Sequence, residues 1–89
     1  MTSLLLAGNK LGDGFVTSFV ALLDEGGLAG VEKLDLSGNA ISEQGMQALA
    51  AAIARGRLPS CTVIVLDGNP GSAAPVEEAA EQRGGMRVE

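Results

Sequence analysis

The 89-residue sequence has no histidine, no tryptophan and no tyrosine, and its single cysteine is Cys61. Without histidine the chain lacks the usual base near neutral pH and a common metal ligand, which excludes imidazole triads and most zinc or haem sites. One cysteine cannot form an internal disulfide, and a lone thiol suits a reducing compartment such as the cytoplasm. We therefore expect a cytoplasmic protein that carries no cofactor or metal.

Positive charge is also scarce. Six lysines and arginines face eleven acidic residues, which leaves a net charge of −5. No broad positive field is available to neutralise nucleic-acid phosphates or anionic lipids, so neither is an expected partner. The apolar run from Ala48 to Ala54 falls far short of the roughly twenty residues that span a membrane, and the first ten residues lack the basic start of a signal peptide.

Apolar residues make up 46% of the chain although aromatic residues make up only 2%, and there are thirteen glycines. These residues recur with a period of thirty, which predicts three repeats over residues 1–27, 28–57 and 58–83. The shared columns are Leu4, Leu34 and Ile64; Leu6, Leu36 and Leu66; Gly8, Gly38 and Gly68; and Asn9, Asn39 and Asn69.

Each repeat contains a strand pattern followed by a helix pattern. Leucines alternate before each Gly-Asn pair, as in a strand, and apolar residues then recur at helical spacing. The helical stripes are Val16, Phe19, Val20 and Leu23, then Met46, Leu49, Ala50 and Ile53, and a weaker third set of Val76, Ala79, Ala80 and Arg83. This order predicts an α/β fold with neighbouring parallel strands and an outer helical layer.

Local signals predict where these helices begin and end. Asp13 and Ser42 are expected to cap the first and second helices. Gly56 should end the second helix, and Gly84 with Gly85 should end the third. Residues 84–89 are predicted to be a flexible tail.

The segment from Leu34 to Ile41, with its following helix and Leu58, resembles a leucine-rich repeat of the ribonuclease-inhibitor-like subclass. The resemblance implies a short horseshoe-shaped solenoid over residues 1–83, with parallel strands on the concave face and helices on the convex face. It also implies a buried ladder in which Asn9, Asn39 and Asn69 bond the backbone of adjacent turns. The sequence departs from the family at the column of Gly45, which holds Phe15 and Pro75 in the other repeats.

The same resemblance implies a non-catalytic scaffold that binds a protein partner through the concave strand face. The candidate contact residues are Leu5, Lys33, Asp35, Val63, Val65 and Asp67. Exposed apolar side chains among them favour contact with a partner. The alternative is that they are ordinary strand residues and the partner binds another stretch of a longer protein.

Two other functions stay open. One is a GTPase-activating fragment resembling the Ran GTPase-activating proteins, although no residue here matches a specific catalytic arginine or asparagine of that family. The other is the terminal piece of a longer leucine-rich-repeat receptor. In either case the uncapped edge of the first strand could pair with a second copy of the chain.

Other chemical motifs are weak. The glycine-rich stretch from Gly8 to Gly14 has no lysine placed as in a phosphate-binding loop. Asp67-Gly68-Asn69 lacks the remaining oxygen ligands of a calcium loop, and Asp24 with Glu25 fits a solvated surface. Cys61 occupies an apolar column, which predicts a small buried side chain rather than a reactive thiol.

Overall fold

In a computed structural model, which describes residues 2–89, four strands alternate with three helices. The elements are β1 (Thr2–Leu5), α1 (Asp13–Asp24), β2 (Val31–Asp35), α2 (Glu43–Ala54), β3 (Val63–Val65), α3 (Ala74–Arg83) and β4 (Arg87–Val88). The predicted α/β order of strand and helix is confirmed. Position 1, which opens the first predicted repeat, lies outside the described residues.

The four strands form one parallel sheet in the order β1-β2-β3-β4. Leu4 pairs with Leu34, and Leu34 pairs with Ile64, so each of these steps advances by one thirty-residue period. Ile64 then pairs with Val88 after only 24 residues. The spacing of the first three strands therefore follows the sequence repeat, whereas the fourth strand begins after a shorter interval.

The helices cover one face of this sheet. Leu34, Leu36 and Ile64 point to that face and are fully buried. They pack in one hydrophobic cluster with the predicted helical stripes, including Val16 and Leu49. Burial of such side chains stabilises the fold by about 1.5–3 kcal/mol each. The core is therefore formed mainly by leucine, isoleucine and alanine side chains of the repeat columns, although the chain has few aromatic residues.

The helix starts differ from the prediction. Asp13 is the first residue of α1 rather than its cap, and Gly12 stands at the cap position. Ser42 does occupy the cap position of α2, but its side chain makes no capping hydrogen bond. Both side chains are instead used in a contact between repeats, because the two helix starts lie side by side in the stacked structure.

The segment expected to be a flexible tail contains the fourth strand, so that expectation is wrong for its last residues. Gly84 ends α3 as predicted, and both Gly84 and Gly85 adopt a φ of +77°, a conformation that glycine reaches without a steric cost. This sharp return brings Arg87 beside Val63. The backbone N–H of Arg87 donates to the Thr62 carbonyl at 2.8 Å, so the chain end covers the edge of β3.

Candidate functional site

The side of the sheet that faces away from the helices is exposed, and we call it the open sheet face. The register aligns its residues in cross-strand rows, because partners directly opposite each other point to the same side. One row contains Ser3, Lys33, Val63 and Arg87, and the next contains Leu5, Asp35 and Val65. Asp67 follows two residues after Val65, at the carboxyl end of β3, and is exposed.

The structure therefore brings the six predicted contact residues together on one surface. Leu5 is 63% exposed, and Val63 and Val65 are partly buried. Lys33 is exposed beside Val63 in the neighbouring strand. The face combines apolar atoms with charge of both signs.

Asp35 is held in place on this face by the next turn. Its Oδ1 atom accepts hydrogen bonds from the Ser37 hydroxyl at 2.7 Å and from the Ser37 backbone N–H at 3.0 Å. These bonds, helped by the charge of Lys33, lower the pKa of the Asp35 carboxyl from its ordinary value of 3.8. Asp35 is thus a fixed negative charge at neutral pH, and its second oxygen is available to a partner.

The fourth strand adds two charged residues that the sequence reasoning missed. Arg87 extends the row of Lys33 and Val63, and its Nε atom forms an ion pair with the Glu89 carboxylate at 2.5 Å. The available signal was the short alternation of Met86, Arg87 and Val88, in which Met86 and Val88 pack against the core. Its brevity concealed it, because two residues of strand give almost no periodicity.

The asparagine column bridges neighbouring repeats. The Asn39 Oδ1 atom accepts hydrogen bonds from the backbone N–H groups of Asn9 and Leu11 at 2.8 and 3.0 Å. Its Nδ2 atom donates to the carbonyls of Leu6 and Leu36 at 2.9 and 3.0 Å. Asn39 therefore satisfies backbone groups of two turns that would be costly to leave unpaired in a buried bend.

Asn69 repeats this arrangement one unit later. It accepts from the Ile41 N–H at 3.1 Å and donates to the carbonyls of Leu36 and Leu66 at 2.9 and 3.0 Å. Asn9 differs, because its side chain is exposed and makes none of these bonds within residues 2–89. Among the described residues, Asn39 and Asn69 therefore bridge to the turn of the preceding unit, and Asn9 does not.

A second contact between repeats comes from an acidic column. The Asp13 carboxylate accepts the Ser42 backbone N–H at 2.8 Å and also the Ser42 hydroxyl. Glu43 accepts the Ser72 backbone N–H at 2.8 Å in the same way. Sequence reasoning assigned Asp13 to its own helix, although the acids at 13 and 43 share one column of the repeat.

Asp24 joins the carboxyl ends of α1 and α2. Its Oδ1 atom accepts from Arg55 Nη2 at 3.0 Å and from Arg57 Nε at 2.9 Å. Hydrogen bonds from Arg55 and Arg57 lower the pKa of the Asp24 carboxyl, and the bond from Arg55 has the larger effect. The acid was expected to be only a solvated surface charge. Arg55 and Arg57 follow Asp24 by 31 and 33 positions, so a search for opposite charges slightly more than one period apart would have found these ion pairs.

Cys61 is fully buried in the core, as its apolar column predicts. Its thiol donates a hydrogen bond to the Val63 carbonyl at 3.2 Å. Burial raises the pKa of this thiol, and the charge of Arg83 acts in the opposite direction. A thiol in this state is a weak nucleophile.

Within residues 2–89, no three histidine, cysteine, aspartate or glutamate side chains are grouped closely enough to hold a metal ion. Among the helices of the same range, none has the length and apolar character needed to cross a membrane.

The fold and the open sheet face define a small α/β protein of parallel strands alternating with helices. Over 53 residues, 60% of its length, the chain is 43% identical to Tonsoku-like protein of Bos taurus, a repeat-containing protein. The matched stretch spans only 4% of the length of that relative. No family model matches the chain, and no solved structure matches it.

Proposed function

We propose that the chain is a leucine-rich-repeat solenoid of the ribonuclease-inhibitor-like kind and serves as a non-catalytic scaffold. Its open sheet face would bind a protein partner. The observation that carries this proposal is the exposure of Leu5 in a parallel sheet whose opposite face packs against the helices. Apolar surface on a rigid sheet loses little conformational entropy when a partner covers it.

The repeat assignment is supported by two features of the structure. Successive strands pair in register at one thirty-residue period, and the asparagines of two units bridge to the unit before them. The similarity to a repeat-containing protein supports the same assignment.

The charges of the open sheet face suggest what the partner presents. Asp35 is the last residue of β2 and Asp67 follows the end of β3, whereas Lys33 lies in the middle of β2. A complementary partner surface is apolar opposite Leu5 and Val65, basic opposite the two aspartates and acidic opposite Lys33. Such charge matching steers encounter and fixes orientation more than it adds affinity.

The test compares two variants with the same charge change. Asp35→Lys with Val65→Lys alters the open sheet face, and Gln47→Lys with Glu78→Lys places the same added charge on exposed helical positions. A partner captured from a cell extract is purified and its affinity for each variant is measured. We expect the sheet variant to bind at least about tenfold more weakly and the helix variant to bind as the wild type does.

Unchanged circular dichroism spectra would show that both variants fold. Equal affinity of the two variants for the purified partner would refute the assignment of the open sheet face, and failure to find any partner would count against the scaffold itself.

We propose further that this scaffold acts in the cytoplasm. The lone thiol of Cys61 supports this placement, since proteins of reducing compartments keep their cysteines free. Fractionation of cells that express a tagged chain tests it, and recovery in secretory or membrane fractions would contradict it.

A further inference from the structure

A cleft lies between the carboxyl-terminal ends of α2 and α3, on the helical side of the protein. It has a volume of about 500 Å³, within the range of roughly 300–1,000 Å³ that is usual for ligand pockets. We call it the α2–α3 cleft; its main lining residues are Ile53, Ala54, Pro59, Ala79, Gln82 and Arg83. None of the six predicted contact residues of the open sheet face lines it.

The repeat itself shows why the space exists. Ala79 occupies the column that holds Phe19 and Leu49 in the preceding units, and those two larger side chains are buried. Ala79 lines the cleft, so the atoms that a leucine would supply there are missing. The third unit keeps the helix but leaves an apolar space beside Ile53.

Arg83 places a positive charge without a carboxylate partner at the same cleft. It stands in the column of Leu23 and Ile53, which are each only 1% exposed, and it is itself partly buried. Its Nη2 atom donates to the Pro59 carbonyl at 2.8 Å. Among residues 2–89, however, each of the three ion pairs involves another arginine, so no carboxylate neutralises the Arg83 charge. A partly buried cation without a counter-ion favours an anionic ligand.

We propose that the α2–α3 cleft binds the carboxyl-terminal apolar residue of a partner polypeptide. The apolar side chain fills the space beside Ile53 and Ala79, and the terminal carboxylate pairs with the guanidinium of Arg83. Gln82, which is exposed at the rim, has an amide that can both donate to and accept from the last peptide bond. That third contact favours a peptide over a free fatty acid, which offers no peptide group.

The test uses three small probes on the full chain. These are N-acetyl-Leu-Leu with a free carboxylate, the same dipeptide as its carboxyl-terminal amide, and octanoate. Binding is followed by titration of the backbone amide resonances of Gly56, Gln82 and Arg83. We expect saturable shifts with the peptide acid and at least about tenfold weaker binding of the amide, because the amide loses the charge-assisted bond.

Two variants and one control locate the site. Ala79→Leu fills the cleft and should abolish binding while the midpoint of thermal unfolding rises or stays unchanged. Arg83→Gln should reduce the affinity for the peptide acid to that of the amide. Lys10→Gln removes the same charge from an exposed residue that is not among the residues lining the cleft, and should leave binding unchanged.

Equal binding of the acid and the amide would overturn the proposal, as would binding that survives Ala79→Leu. Octanoate binding more tightly than the peptide acid would assign the cleft to lipid-like carboxylates and equally overturn it. The absence of saturable shifts with all three probes would show that the cleft is only a packing gap.

Discussion

The carboxylate of Asp13 at the start of α1 accepts hydrogen bonds from both the backbone N–H and the hydroxyl of Ser42 at the start of α2. Both bonds lower the pKa of the Asp13 carboxyl, and the bond from the Ser42 hydroxyl has the larger effect. They place Asp13 directly beside Gly45, where an added Cβ atom would lie 2.5 Å from Asp13 Oδ1. The stacking of two repeats therefore depends on an acid in one and a glycine in the next.

We predict that Gly45→Ala lowers the free energy of unfolding by about 1–3 kcal/mol, the usual cost of overpacking. Its Cβ atom would also lie 2.6 Å from Ile41 Cγ2, so two neighbours must move. Gly14→Ala is the control, because nothing lies within 4 Å of its Cβ position in α1. That variant should be more stable than the wild type by roughly 0.5 kcal/mol. Urea denaturation checks both, and equal losses in the two variants would contradict the close approach of the helices.

Substitution of the asparagines should have unequal effects. Asn39→Ala leaves several buried backbone groups of two turns unpaired, so we expect a loss of about 2–3 kcal/mol in the free energy of unfolding. Asn69→Ala should cost less, because its side chain makes fewer of these bonds. Asn9→Ala should change stability by less than about 0.5 kcal/mol. Denaturation by urea measures all three, and a cost for Asn9→Ala equal to that for Asn39→Ala would show that the bridges do not stabilise the stack.

Acid should destabilise the protein through three carboxylates. Hydrogen bonds lower the pKa of Asp13, Asp24 and Asp35 in the folded state from 3.8. The unfolded state consequently binds more protons in this range, and stability rises with pH. We expect thermal unfolding midpoints to be constant above about pH 5 and to fall as the pH drops below about 4.

The same melts in Asp24→Asn should show a shallower dependence on pH, because one of the three shifted carboxylates has been removed. In the wild type, 1 M salt should weaken the contribution of Asp24, since its pairs with Arg55 and Arg57 are exposed. A pH dependence that is identical in Asp24→Asn would exclude the ion pair as a source of acid sensitivity.

Removal of residues 87–89 should open the edge of β3. The Leu66 N–H donates to the Glu89 carbonyl at 2.7 Å, whereas the Leu36 N–H donates to the Val65 carbonyl at 2.8 Å inside the sheet. Hydrogen exchange should therefore accelerate strongly at Leu66 in the truncated chain and change much less at Leu36. Protection at Leu66 that persists after truncation would show that β4 does not cover the edge.

Much of the fold was accessible from the sequence because its signals are repeated. Leu34 and Ile64 share a column with Leu4, and the pairing of these residues in the sheet follows from that spacing. The helical stripes were also predictable, since Val16, Met46 and Val76 recur thirty residues apart and all three face the core. The residues that lie on the open sheet face were predicted from the same alternation, although the register was needed to align Leu5 with Asp35 and Val65.

The features that sequence reasoning missed depend on how one repeat meets the next. The sequence around Asp13 predicts a helix cap. Only the folded structure places Ser42 beside it, where Asp13 accepts a hydrogen bond from the next repeat. Arg55 and Asp24 are surface charges until the two helix ends are adjacent. β4 was missed because its two residues carry too little periodicity, and only pairing with β3 makes them a strand.

The sequence by itself determined the thirty-residue period, the alternation of strand and helix, and the side of each element that enters the core. These follow from local spacing, because backbone geometry sets the periodicities of 2 and 3.6 residues. The tertiary structure decided which polar groups bridge the repeats, where the chain end closes the sheet, and where Ala79 and Arg83 leave a cleft. Those outcomes depend on distances between residues far apart in sequence, and only the packed chain brings such groups within hydrogen-bonding reach.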